Sequence, residues 1–357
     1  MRRLVSCFSL AVPAIAGLFL VGCGGCSERK SERLSGGGAT FVDPIMQKWS
    51  SEYNKSTGVE IDYTKSGSSD GIKKMIEKEL DFGCSDAPMK KDQLAEAQGK
   101  GGDVIHVPLA MGGVAVIFNL PNISELKLSG PVIADIYLGK IKKWNEGPIA
   151  ALNAGVQLPD LAIVPVYRSE GSGTSNIFTE YLSKTHPEFA QKIGASTSPK
   201  WPEIGTGQKG SDGVANHVKG NTGTIGYAEV SYARKNDIAV ASVQNRKGKF
   251  HVPDAAAVTV AGEWALGQPQ SKEPYSLHEL TFSLTDPDDE NAYPICGISY
   301  GLLYKKQPSK KGHALVAFLK WATTEGQKYA VDLHYAPLPG ALGAKVAERL
   351  KQVEFAD

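Results

Sequence analysis

The sequence predicts an α/β protein with largely parallel sheets. From Leu34 onward, short apolar runs alternate with helix-spaced apolar faces in the order β-α-β-α-β. That order calls for crossover connections between strands of one sheet. The composition is ordinary for a globular chain, with 41% hydrophobic, 22% charged and 8% aromatic residues. A length of 357 residues allows about two domains, each with its own core.

The first segment stands outside that pattern. Arg2 and Arg3 precede an apolar stretch, Leu4 to Leu20, which ends in Leu20-Val21-Gly22-Cys23 and a polar run, Ser27 to Arg33. A basic start, an apolar stretch and a small residue at the cut mark an export signal. The stretch is close to the ~18-residue minimum for a membrane anchor, but Pro13 and Gly17 within it favour cleavage. Leu20-Val21-Gly22-Cys23 resembles the bacterial lipoprotein box, which implies a cleaved signal over 1–22, lipid on Cys23 and a linker over 23–33.

The elements then follow in order. Ile45, Met46, Trp49 and Tyr53 form one helical face, with Asp43 as N-cap and Pro44 in the first turn. Val59 to Thr64 alternates as a strand does. Ile72, Met75, Ile76 and Leu80 share a second helical face before a short strand at Phe82 to Ser85. Val104 to Leu109 and Val114 to Phe118 read as two strands flanking Gly112-Gly113. A helix is expected near Val132 to Leu138, a strand at Ile163 to Tyr167 and helices near Ser175 to Leu182 and Val214 to Val218. The loop Thr285 to Glu290 leads into the apolar run Tyr293 to Tyr304, and the end of the chain is mostly helical, broken at Pro337 and Pro339.

Several chemistries are excluded. Lys and Arg number 39 against 38 Asp and Glu, so the basic surplus of a nucleic-acid binder is missing. The seven histidines form no H-E-x-x-H and no closely spaced metal pair. Asp286 to Glu290 lacks the calcium-loop spacing and its glycine, so it reads as a solvated turn. Gly205-x-x-x-x-Gly210 is followed by Ser211, without the lysine a P-loop needs. Gly171-Ser172-Gly173 is not a G-x-S-x-G elbow. Cys26, Cys84 and Cys296 are too far apart for a zinc pair. Cys84 and Cys296 read either as a disulfide or as buried thiols.

What remains is a set of Gly/Ser/Thr loops that each run into a helix. They are Gly36 to Phe41, Ser66 to Gly71 and Arg168 to Thr174. Such loops turn backbone N–H groups, hydroxyls and the positive end of a helix dipole toward an anion. Any one of them is also explained by good capping and turn chemistry. Three in one chain, one carrying Arg168, point to a tetrahedral oxyanion.

Gly38-Ala39-Thr40-Phe41, Gly67-Ser68-Ser69, Asp81 to Pro88 and Arg168-Ser169-Glu170-Gly171-Ser172-Gly173-Thr174 resemble the phosphate-binding proteins of bacterial Pst importers. Asp135 to Trp144 and Thr224 to Tyr227 support the resemblance, which runs from about Leu34 to the C-terminal helices. It implies a two-lobe periplasmic-binding-protein-like fold, each lobe a mostly parallel sheet flanked by helices, with two chain crossovers as the hinge. Lobe I is then expected over 34–111 and 297–357, and lobe II over 112–296. The ligand set it implies is Thr40, Phe41, Ser68 and Asp86 from the first lobe and Arg168, Ser172, Gly173 and Thr174 from the second. Phe41 and Gly173 act through backbone N–H, and Glu170 steadies Arg168. Three positions depart from the family: Glu170 where Asp is common, Asp70 where Gly or Ser is common, and Cys84 in place of a smaller residue.

The function implied is a non-enzymatic receptor that needs no cofactor or metal. It would capture inorganic phosphate in the cell envelope, facing the periplasm or the exterior, and deliver it to an ABC permease with its ATPase subunits. It would act as a monomer held to a membrane by lipid on Cys23. The alternatives are a receptor for another oxyanion such as sulfate, a phosphate-ester hydrolase, or a lipoprotein that only signals or adheres.

Overall fold

The computed structural model describes residues 32–269 and 273–356. The expected signal, Cys23 and most of the linker lie outside the described residues. Strand Arg33–Gly38 lies between Glu60–Lys65 and Phe82–Ser85 and is parallel to both. Helices Asp43–Thr57 and Ser68–Ile76 make the crossovers. The first helix buries Ile45, Met46, Trp49 and Tyr53, the face its spacing predicts. Its start differs from expectation by one residue, because Val42 takes the cap position and Asp43 is already helical. Pro44 fixes φ inside the first turn, where its missing N–H costs nothing. Asp43 instead accepts from Gln47 Nε2 one turn on, at 2.9 Å.

The two strands expected around Gly112-Gly113 are one continuous strand, Val104–Phe118. The glycines do not break it because each half has its own partner. The first half pairs antiparallel with Cys296–Tyr304, and the second pairs antiparallel with Thr224–Glu229. The main sheet therefore runs in the order 60–65, 33–38, 82–85, 296–304, 104–118, 224–229, 164–168, 206–208. Both ends of this sheet are parallel, because helices connect their strands. Its middle is antiparallel because one long strand leads the chain outward and the other leads it back. Gly112 lies opposite Gly297, and the register slips between Ser299 and Tyr300. Gly112 has a packing reason as well, since a Cβ there would stand 2.8 Å from the Phe41 ring.

Helices Lys91–Lys100 and Ala255–Leu266 were not anticipated. The first buries only Ala97, and the second is apolar on almost every side, so neither shows a helical contrast. Cys84 and Cys296 are buried free thiols. Across the ladder Cys84 faces Gly301, which leaves Cys296 five residues away along the neighbouring strand. The turn at 285–290 is not simply solvated. Asp286 is buried and accepts from Arg246 Nε at 3.1 Å, while Asp288 pairs with Lys247 at 2.8 Å.

Candidate oxyanion-binding site

Four helix N-termini meet at one place. Thr40 and Phe41 lead into helix 43–57, and Ser68 opens helix 68–76. Ser172 caps helix Gly173–Thr185, and Ser211 lies in the first turn of helix Gly210–Gly220. The first-turn N–H groups of a helix have no partner within it, and its dipole places partial positive charge there. All eight candidate residues are buried.

Two hydrogen-bonded groups form the site. In one, the Ser68 hydroxyl accepts from the Gly173 amide at 3.0 Å and from the Asp86 amide at 3.2 Å, and lies 3.4 Å from Asp86 Oδ2. In the other, Thr40 Oγ1 is 2.9 Å from Ser211 Oγ, which accepts from Arg168 Nη1 at 3.3 Å. Strand Val164–Arg168 delivers the arginine at its C-terminal end. Arg168 Nε donates to Glu170 Oε1 at 2.8 Å, Nη2 donates to the same oxygen, and the Gly210 amide reaches it at 3.0 Å. The Glu170 side chain therefore reaches and holds the guanidinium. Asp70 turns to Lys74, 2.9 Å away. Burial pushes its carboxyl up, but a hydrogen bond from Ser66 and the lysine bring it below its usual range.

The backbone of the first loop is fixed from outside. Tyr232 OH donates to the Thr40 carbonyl at 2.6 Å, and Tyr335 OH donates to the Phe41 carbonyl at 2.5 Å. Both carbonyls are thereby held from elsewhere in the chain. Ser172 Oγ caps its helix by accepting from Ser175 N at 3.2 Å. Thr174 Oγ1 is buried without any partner. A buried hydroxyl without a hydrogen bond is costly, and it marks where a ligand atom is wanted. Gly173 permits the approach of the two loops, since a Cβ there would stand 2.5 Å from Asp86 Cβ.

Asp86 is the one acid among the candidates that no cation pairs directly. Burial pushes its pKa up to about 7, against the opposing pull of hydrogen bonds from Ser299 and Ser68 and the nearby Arg168 charge. In its ionised form it can only accept, as from the proton of an oxyanion that carries one. His106, the only histidine among the buried polar residues, accepts from the Met89 amide at 3.1 Å, and burial pulls its pKa to about 4. Among the described residues no group of three or more His, Cys, Asp or Glu is placed to hold a metal.

Residues 27–325 match the model of the PBP superfamily domain. The phosphate-binding protein PstS of Pasteurella multocida is 40% identical over 325 residues, which cover 90% of this chain and 91% of its own. The chain belongs to the PstS family. Its archaeal relative from Methanocaldococcus jannaschii is 36% identical over 348 residues, covering 92% of this chain and 88% of the relative. The fold is shared with a phosphate-binding protein from Stenotrophomonas maltophilia, at a TM-score of 0.68 and 20% identity over 89% of this chain and 94% of that one. A substrate-binding protein with bound phosphate from Clostridium perfringens aligns with a TM-score of 0.60 and 21% identity, covering 86% of this chain and all of that one. The architecture is therefore the two-lobe fold of periplasmic binding proteins, as the resemblance implied.

Within this PstS-family site, the sequence reading missed Ser211, Ser299 and the three tyrosines 227, 232 and 335. Tyr227 OH accepts from the Arg168 amide at 3.3 Å and lies 2.7 Å from Ser175 Oγ. Ser299 Oγ donates to Asp86 Oδ1. Ser211 did carry a signal. Gly210-Ser211-Asp212-Gly213 is a fourth small polar stretch at a helix start, masked in the sequence by its likeness to a P-loop without lysine.

Proposed function

We propose that this chain captures inorganic phosphate between its two lobes and hands it to an ABC permease for import. The partnerless Thr174 hydroxyl, buried in the first turn of the helix that Ser172 caps, is the observation that carries this reading. Lobe I comprises 34–111 and 297–357 and lobe II comprises 112–296, so the paired stretches at Gly112 and Gly297 form the hinge. Thr40, Ser68, Ser172 and Thr174 supply hydroxyls, Phe41 and Gly173 supply amides, and Arg168 supplies charge. Asp86 takes the proton of the ligand. The names of its PstS relatives, phosphate-binding proteins, support the phosphate reading.

The protein acts as a monomeric receptor and not as an enzyme, with neither nucleophile–base pair nor metal invoked. It is exported and tethered by lipid on Cys23; no helix among the described residues is long and apolar enough to cross a membrane. Two acyl signals or more give a stable anchor at about 0.8 kcal/mol per buried CH₂.

Calorimetric competition between phosphate and sulfate tests the reading. Near pH 7 inorganic phosphate retains at least one proton, because it has three to lose and the second leaves at about 6, as in phosphoesters, with the third still held. Sulfate has none to offer an ionised Asp86, so two like charges would face each other in a desolvated site. Phosphate should bind tightly without added metal, and sulfate should not displace it. Displacement at comparable concentrations would rule out a phosphate-specific receptor.

A further inference from the structure

We propose that Ser211 is a direct hydroxyl ligand of the bound oxyanion, a member of the site beyond the eight residues carried over from the family. The inference rests on the phosphate reading and adds a residue and a helix to it.

Ser211 is fully buried, in the first turn of the eleven-residue helix Gly210–Gly220. Its Oγ touches two proposed ligands from different parts of the chain: Thr40 Oγ1 at 2.9 Å and Arg168 Nη1 at 3.3 Å. Counting hydrogens decides what the hydroxyl does. A guanidinium N–H only donates, so Ser211 Oγ accepts from Arg168 and keeps its own O–H. Thr40 brings a second O–H. The single bond between the two hydroxyls uses one of these hydrogens and leaves the other unspent, in a pocket where an unspent buried donor is costly.

An oxyanion oxygen beside the pair takes both. The contact between the hydroxyls opens, and each O–H turns to the anion while Arg168 continues to donate to Ser211. A hydroxyl that accepts from a cation is a stronger donor, so Arg168 would act on the ligand partly through Ser211. The Gly210 amide is held by Glu170 Oε1, which fixes this helix start against the arginine.

The test is a double-mutant cycle on phosphate affinity by calorimetry, using the wild type, Ser211→Ala, Thr40→Val and the double variant. Ser211→Ala should weaken phosphate binding by about tenfold or more, the loss expected for one hydrogen bond to a charged group. The double variant should bind more weakly than either single variant. If Ser211→Ala has no further effect in the Thr40→Val background, Ser211 acts only by holding Thr40, and the proposal is overturned. A single variant that keeps wild-type affinity, with or without a lower ligand-free Tm, overturns it too and leaves the phosphate reading intact. If the wild type gives no heat with phosphate, the phosphate reading itself fails, and the ligand role of Ser211 fails with it.

Discussion

The amide of Gly173 donates to the hydroxyl of Ser68 across 105 residues of sequence, at 3.0 Å. The donor heads one helix and the acceptor heads another. Two loops that each look like an ordinary cap in the sequence thus become parts of one site only through the fold. A ligand that enters between them competes for groups that are already paired.

Arg168 is the only cationic side chain in the proposed site, and it is almost entirely buried. Arg168→Ala should weaken phosphate binding at least about tenfold, since hydrogen bonds to charged groups are worth about 1.5–3 kcal/mol each. The same variant leaves the partly buried Glu170 without its cationic partner, so a lower ligand-free Tm is expected as well. Wild-type affinity would remove Arg168 from the site.

Gly173→Ala tests the closeness of the loops. The added Cβ would lie 2.5 Å from Asp86 Cβ and 2.6 Å from Ser68 Oγ, so the loops must separate. Overpacking of this kind costs about 1–3 kcal/mol, and phosphate affinity should fall about tenfold or more. Calorimetry is the readout. Unchanged affinity would mean that the ligand-bound form does not bring these loops together.

Two buried acids give the ligand-free protein a defined response to pH. Burial raises Asp86 to about 7 and Glu229 to about 8. In the unfolded chain both would titrate near 4. The folded state then holds protons that the unfolded state releases, so the contribution of these two acids to stability falls as pH rises from about 4 to about 8, while His106, lowered by burial, contributes in the opposite sense below about 6.5. Glu229→Gln should flatten the upper part of this decline without adding a charge. Thermal melts at pH 5 and pH 8.5 check it, and an equal decline in both proteins would count against a buried proton on Glu229.

The membrane anchor and the site should be separable. Cys23→Ala is expected to release the protein from membranes and to leave phosphate affinity unchanged, because the linker over 23–33 lies between the lipid and the site. Intact-mass measurement of the membrane fraction reads the modification directly. An unmodified Cys23, or a retained apolar N-terminus, would refute the lipoprotein assignment.

The parallel β-α-β-α-β start was legible because its helices show one buried face and its strands are short and apolar. The fusion of 104–109 with 114–118 was not, since Gly112-Gly113 breaks the local pattern and only the partners on either side carry the strand through. The site loops were legible as capping chemistry joined to one arginine. The tyrosines were not. Tyr232 and Tyr335 reach the 40–41 carbonyls from 192 and 294 residues away, and nothing local marks a tyrosine whose hydroxyl ends at a distant backbone. Asp43 shows the limit at element ends, where a proline at the second position shifted the cap by one residue.

The strand Val104–Phe118 serves as an edge to neither half of the main sheet, because it is a member of both. Its ladder to 296–304 and its ladder to 224–229 share one backbone. Melting either half strips hydrogen bonds from a strand that the other half still needs. Heating should therefore produce one cooperative transition with equal calorimetric and van't Hoff enthalpies, although the proposed hinge lies at the middle of that same strand.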